Sequence, residues 1–316
     1  MLRILRVLVA VILTAAVFYL AHPSDIVRAA AGADWRWLAA ATASVLVDRA
    51  LMALRWLELL VALTPGSRPR IASVVRIFFV SSFVSNFVPS VAADMYRAYA
   101  LSRHDVRLAE STASVLMDRV LGVLSMAIVG AIALAFVPVQ GASRGIAISL
   151  AAAFAACAAA GLVVFSERIS AALLGTASAF PSHAVRRIAA SLTDAVRRYA
   201  HHRDAMARVL VMSIAVQAIR ILQAWCLGEA LGVALPLSAY FAIMPVILLI
   251  MQVPITINGL GTTQIAFVTL FGASGVGAAA ATALSILFLV LGVIGSLPGG
   301  VLYAFSPPLA AGTSRS

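Results

Sequence analysis

Arginines stand inside stretches apolar enough to lie in lipid, and two of them recur with the same downstream proline. Arg55 precedes Pro89 by 34 residues (89 − 55), and Arg220 precedes Pro254 by 34 (254 − 220). Each arginine falls within a long apolar run. Each proline interrupts the next run, as Asn86-Phe87-Val88-Pro89 and Met251-Gln252-Val253-Pro254. A charge at the bilayer centre costs roughly 2.5–3.5 kcal/mol on insertion scales, so residues of this kind are rare and mark function. Proline-interrupted apolar segments at corresponding positions of two halves point to a transporter's binding site. The pattern predicts an integral membrane protein that handles a polar or anionic group inside the bilayer.

Composition supports the membrane assignment. Of 316 residues 63% are hydrophobic and 11% charged, with mean hydropathy +1.04. Soluble domains carry about 25% charged residues. The apolar runs reach the ~20 residues needed to span hydrocarbon, and little chain is left for a soluble domain. The formal net charge is +11, and all 23 basic residues are arginine. Genome composition accounts for the absence of lysine. Inside the membrane, however, a guanidinium can grip phosphate with two parallel hydrogen bonds. Cys157 and Cys226 form no metal spacing and no redox motif, and read as small hydrophobes in helices. Met1-Leu2-Arg3-Ile4-Leu5-Arg6 and the apolar run to Ala21 resemble a signal peptide, but Tyr19-Leu20-Ala21-His22-Pro23 is a weak cleavage site. An uncleaved first helix with a cytoplasmic N-terminus is expected.

The predicted fold is all-α: a polytopic integral membrane bundle with about six full spans and two Pro-broken re-entrant hairpins. The spans fall at 4–20, 37–63, 114–137, 146–165, 209–231 and 279–305. The broken stretches are 71–99 and 239–271. Arginine placement sets the orientation. Arg3 and Arg6, Arg68 and Arg70, Arg97, Arg103 and Arg107, and the cluster from Arg168 to Arg208 mark cytoplasmic regions. The opposite loops hold only Arg28, Arg36 and Arg144. The first broken stretch then has basic flanks on both sides and the second has poor flanks on both sides. Each should enter and return, from opposite faces. The two arginine-bearing helices run in opposite directions, which makes an inverted repeat offset by 165 residues (220 − 55). Irregular backbone at membrane depth is tolerated only against protein or a wet cavity, so the hairpins should meet at a shared site. The chain reads as one domain, 1–316, with repeat halves at roughly 37–137 and 209–305. A basic segment, 167–208, lies between them. Its stretch 182–208 sets apolar residues at helical spacing among arginines, which suits either contact with anionic headgroups or an ordinary cytoplasmic loop.

Several polar groups suit such a site. Asp118-Arg119 could be a structural salt bridge, or Arg119 could meet a lipid phosphate while Asp118 orients it. Asp48-Arg49 reads as structural. Asp94 and Arg97, three apart, would follow the first break and face the cavity, although Arg97 could snorkel to the surface. Gln217 and Arg220 share a face as polar glue or as cavity lining. In the second break, Gly259 and Gly261 permit a tight turn, and Asn258, Thr262 and Thr263 can cap the following helix, whose N-terminus would attract an anion. No hydrolase, metalloprotease or nucleotide-binding motif occurs, and the five histidines fall in loops or interfaces, so neither enzyme chemistry nor a metal or other cofactor is expected. No nucleic-acid-binding signature accompanies the charge.

These residues resemble a known family. Asn86-x-x-Pro89-x-x-x-x-Asp94-x-x-Arg97-x-x-x-Leu101, Asp118-Arg119, Arg55-Trp56, Pro254 through Gln264 and Gly299-Gly300-Val301-Leu302-Tyr303 are similar to the membrane region of lysylphosphatidylglycerol synthases, which also occurs as a stand-alone flippase-like family. The resemblance covers roughly 3–303. It implies a lipid-translocating helical domain of the bacterial inner membrane, without the soluble aminoacyl-transfer module. Two departures stand out: Ala92-Ala93 where the family usually has glycine, and Gln264 where it usually has glutamate. The combined expectation is a lipid-binding or lipid-translocating protein. Arg55, Asp94, Arg97, Asp118, Arg119 and Arg220 would contact the lipid. Asn86, Pro89, Pro254, Asn258, Gly259, Gly261 and Gln264 would shape the hairpins. The partners implied are anionic or polar-headed membrane lipids, with a lipid-modifying enzyme or a second copy of the chain as further partners. The alternative is a non-transporting accessory subunit that scaffolds a lipid- or glycolipid-modifying enzyme. A membrane-embedded transferase lacks a recognisable nucleophile.

Overall fold

The computed structural model describes residues 32–64, 70–88, 90–104, 106–136, 148, 155, 197–199, 202–252 and 261–305. The expected spans 4–20 and 146–165 and most of the basic segment lie outside these described residues. Within them the chain forms eight helices and no strand.

Four helices are long and apolar enough to cross a membrane: α1 (Trp35–Leu63), α4 (Leu108–Phe136), α5 (Arg203–Ala230) and α8 (Ala278–Phe305). At 1.5 Å per residue each runs about 40 Å or more, against a hydrocarbon core of about 30 Å. The two interrupted stretches each fold as a pair of shorter helices. The first gives α2 (Ile71–Val84) and α3 (Ser90–Ser102), and the second gives α6 (Leu237–Gln252) and α7 (Thr262–Gly272). None of the four short helices exceeds 16 residues, about 24 Å, so none alone covers the hydrocarbon thickness. Pro89 and Pro254 fall in the gaps between the paired helices and outside the described residues.

α5 begins at Arg203, six residues before the hydropathy boundary at 209. Its first turn is polar, and Arg208 bonds Glu58 near the end of α1. The helix therefore extends past the apolar run because packing against α1 continues there. α1 and α5 lie antiparallel along their length. Asp34 donates its N–H to the Ala230 carbonyl, Trp37 meets Trp225 edge-on at 5.1 Å, and Arg220 reaches Asp48. Arg55 reaches Ser213. Rising numbers on one helix meet falling numbers on the other.

Around this central pair, α2 packs on α1, α3 and α8, and α6 packs on α4, α5 and α7. α4 also touches α1, α3 and α5, and α8 also touches α1, α5 and α7. Aromatic rings fill the space between the later helices. Phe267 stacks on Phe271 at 5.5 Å, Tyr240 meets Phe271 edge-on at 5.2 Å, and Phe288 closes on Phe267 at 5.8 Å.

In lipid, helix association relies on close packing and interhelical hydrogen bonds, because lipid tails are as apolar as leucine. Small residues serve that end here. Pro298 interrupts the donor ladder of α8, and directly after it Gly299 lies against the Phe79 carbonyl and Gly300 against the Phe83 ring on α2. Gly272, at the end of α7, faces open space. Gly299→Ala should thus drive a methyl into backbone and cost about 1–3 kcal/mol of stability. Gly272→Ala should leave stability unchanged or slightly raised. Thermal unfolding midpoints in detergent will compare the two.

Candidate functional site

Seven of the eight described helices line a common cavity of about 270 Å³. On α1 the lining residues are Val45, Asp48, Arg49, Met52 and Arg55, spaced as one helical stripe. α2 adds Phe78, Ser81 and Ser82, with Ser85 and Asn86 just beyond its end. α3 adds Asp94 and Arg97, α4 adds Asp118, Arg119 and Gly122, and α5 adds Gln217, Arg220 and Gln223. α6 supplies Gln252 and α8 supplies Gly292. The outward faces of the same helices carry exposed apolar residues such as Leu46, Val47, Leu54 and Val211. This inside-polar, outside-apolar arrangement fits a helix bundle in lipid that encloses a wet interior.

Asp118 is the centre of the polar lining. Its Oδ1 accepts from Arg55 Nε at 2.8 Å and lies 2.7 Å from Arg55 Nη2. Its Oδ2 accepts from Arg97 Nη1 at 3.2 Å. All three side chains are buried. The Arg97 guanidinium carbon stands 3.9 Å from the centroid of the Trp56 ring and 5.2 Å from that of Phe78. Trp56 is held in turn by its indole N–H, which donates to Ser114 at 3.1 Å. A desolvated cation over an aromatic face gains about 2 kcal/mol, which helps to offset burial of Arg97. Arg97 therefore does not snorkel outward.

Two further clusters complete the charge lining. Arg119 grips Asp94 side-on through Nε and Nη2, at 2.8 and 3.2 Å, and donates from Nη1 to Gln252 on α6 at 2.8 Å. Its side chain is 38% exposed, the most open of the cavity's ion pairs. Arg220 donates to Asp48 at 3.0 Å and to the Met52 sulfur at 2.8 Å. Asp118-Arg119 and Asp48-Arg49 are thus not internal pairs: each residue points to a different helix. Arg49 donates from Nη2 to the Gly292 carbonyl at 3.1 Å.

The six residues expected to contact lipid, Arg55, Asp94, Arg97, Asp118, Arg119 and Arg220, all line this one cavity. Asn86 lines it too and donates to Ser296 on α8 at 2.7 Å. Pro89, Pro254, Asn258 and Gly259 lie outside the described residues. Gly261 and Gln264 belong to the start of α7 and are not among the lining residues. Gly261 has φ +85°, a conformation suited to glycine, and donates its N–H to the Gln264 side-chain oxygen at 2.6 Å. Gln264 thereby acts as the reciprocal half of a helix cap. Sequence reasoning missed Arg49, Gln223 and Gln252 as lining residues. Arg49 shares the stripe with Arg55, so its spacing carried a signal.

Among the described lining residues five arginines face three aspartates, an excess of two positive charges (5 − 3). In a low-dielectric surround such an excess attracts anions strongly. Removing one partner of a buried ion pair costs about 3–5 kcal/mol, whereas an exposed pair contributes about 1 kcal/mol or less. Asp118→Asn is expected to lower the thermal unfolding midpoint in detergent far more than Glu58→Gln, which breaks the bridge to a largely exposed Arg208. Equal losses would remove Asp118 from its anchoring role.

A family model described as the lysylphosphatidylglycerol synthase TM region matches residues 3–299. Searches of curated proteins and of solved structures returned no match. The match covers nearly the whole chain, which therefore belongs to the lysylphosphatidylglycerol synthase membrane-region family and is a lipid-related integral membrane protein.

Proposed function

We propose that this protein binds a membrane lipid by its anionic headgroup in the arginine-lined cavity and moves it between the leaflets of the bacterial inner membrane. The observation that carries the reading is the excess of guanidinium groups on an interior cavity bounded by span-length helices. A charge held at membrane depth is a functional site by default. Family membership supports a lipid as the ligand. The reading assigns binding and movement to the chain, with no bond made or broken, and places both termini in the cytoplasm.

The transport reading includes two inverted halves with hairpins entering from opposite faces. Two observations support that relation. Arg55 donates to Ser213 and Arg220 to Asp48. The donors are 165 apart (220 − 55), and so are the acceptors (213 − 48). Each bond therefore maps onto the other when the halves are exchanged. The helix packing behaves likewise. Exchanging α1 with α5, α2 with α6, α3 with α7 and α4 with α8 turns the α2–α8 contact into the α6–α4 contact, and α3–α4 into α7–α8. Such repeats place substrate at their interface, with rocking of one half against the other as the route to both sides.

The test is lipid scrambling in proteoliposomes. Arg220→Ala, paired with Asp48→Asn so that no buried carboxylate is left alone, is expected to lower the rate at least about tenfold, the loss of one charge-assisted contact. Retention of the folded protein is checked by its unfolding midpoint. An unchanged rate would take Arg220 off the lipid's path. No scrambling by the unaltered chain, together with its co-purification with a lipid-modifying enzyme, would favour the accessory-subunit reading.

A further inference from the structure

The two surplus charges can be assigned to particular residues. Asp48 is matched by Arg220, Asp94 by Arg119 and Asp118 by Arg55. Arg49 and Arg97 remain. Arg97 spends Nη1 on the already matched Asp118, at 3.2 Å. Its Nε and Nη2 are buried and have no hydrogen-bond partner among the described residues. Those two nitrogens form the side-on edge of the guanidinium, the same edge with which Arg119 holds both oxygens of Asp94. Arg97 is 6% exposed and is one of the residues lining the cavity, and its two-pronged donor edge is buried without an acceptor among the described residues. Leaving a buried donor unmade costs about 1–3 kcal/mol, and more for charged groups. Arg49 also lines the cavity, and its Nε is likewise buried and unpartnered.

We propose that the cavity is built for a phosphomonoester headgroup carrying two negative charges, with Arg97 gripping two phosphate oxygens and Arg49 matching the second charge. The assignment rests on the lipid-binding reading above and narrows its substrate class. A phosphodiester lipid brings one charge and leaves one guanidinium unmatched, whereas a phosphomonoester above its second pKa, about 6, brings both. The fork geometry of Arg97 suits phosphate oxygens, and a single ammonium could not reproduce it.

The experiment measures binding of dioleoyl phosphatidic acid, dioleoyl phosphatidylglycerol and cardiolipin to the full chain in detergent, from pH 5 to 8.5. Inorganic phosphate and glycerol 3-phosphate serve as soluble competitors. The expected result is affinity for phosphatidic acid that rises about tenfold as its second proton leaves, while phosphatidylglycerol stays weaker and flat. The diester lipid also reports any titration of the protein itself. Arg97→Lys keeps the charge and loses the fork, and Arg49→Gln lowers the surplus to one. Each should lower affinity for phosphatidic acid about tenfold; Arg97→Lys, which loses a fork that any phosphate can use, should weaken phosphatidylglycerol as well, whereas Arg49→Gln should chiefly flatten the rise of phosphatidic acid binding with pH. If Arg97→Lys fails to fold, Arg49→Gln, whose only described hydrogen bond is to a backbone carbonyl, carries the test. Equal and pH-independent binding of the two glycerolipids, or tighter and pH-independent binding of cardiolipin, overturns the dianion assignment and leaves the lipid reading standing. Soluble phosphates that compete at the same concentration as phosphatidic acid overturn the lipid source. Binding of no lipid overturns both readings.

Discussion

A carboxylate shared by two guanidiniums is the interaction on which the rest of this bundle depends. Asp118 on α4 holds Arg55 of α1 and Arg97 of α3, and Arg55 continues to Ser213 on α5. Four helices are thereby tied through one buried acid. None of the three charged groups is tolerable alone at membrane depth, because desolvation of a single ion costs several kcal/mol. Together, with Trp56 under Arg97, they satisfy one another. Gly122, one turn beyond Asp118, leaves the Arg55 guanidinium its space. The cavity exists because these groups must be satisfied by one another and by water or ligand, and apolar packing cannot replace them.

The same helices face two solvents. α1 turns Asp48, Met52 and Arg55 inward while Leu46, Val47 and Leu54 face outward. A soluble bundle would place these the other way round. Interhelical adhesion then comes from close approach at small residues, as at Gly299 against Phe79, and from polar links such as Gln217 to Ser125. Arg198 and Arg107 both bond Glu110 near the start of α4, and Tyr199 donates to the Leu59 carbonyl. The described part of the basic segment is thus engaged with the bundle.

Hydropathy made the long helices legible, because burial in lipid demands about 20 apolar residues regardless of tertiary detail. The division of 71–99 and 239–271 into helix pairs falls where Pro89 and Pro254 stand in the sequence, yet proline alone does not end a helix here, since Pro245 and Pro298 lie inside α6 and α8. Arg55 and Arg220 stood out because charge in such runs is costly. Partner choice was not legible. Asp48 and Arg49 are neighbours in sequence, yet adjacent helical positions point about 100° apart, so each finds its partner on another helix. Whether Arg49 meets lipid, carbonyl or carboxylate depends on how α1 is rotated against α8, which no local pattern encodes. Gln264 is expected from sequence to shape the second hairpin, and its side chain caps the start of α7, a specific bond that the sequence pattern did not name.

The proposed relation between halves extends to backbone and to one arginine, but not to charge. Shifting by 165 residues takes Arg55 to Arg220, yet it takes Asp48 to Ser213, Arg49 to Ile214, Asp118 to Ala283 and Arg119 to Leu284. Of the charged lining residues, only Arg220 comes from the later half. The field in the cavity is therefore set mainly by α1, α3 and α4, with Arg220 of α5 as the one charge from the later half, and on the proposed reading the headgroup is held chiefly by the first half. The other half contributes a single counter-charge contact, Arg220 to Asp48, together with the neutral amides of Gln217, Gln223 and Gln252. Motion of the later half against the first would break two ion pairs, Arg220–Asp48 and Arg208–Glu58, and the arginine bonds to Ser213, Gln252 and Gly292, while Asp118 keeps Arg55 and Arg97 within the first half. On the proposed reading, an asymmetric charge distribution on two related halves separates holding the anion from changing its access.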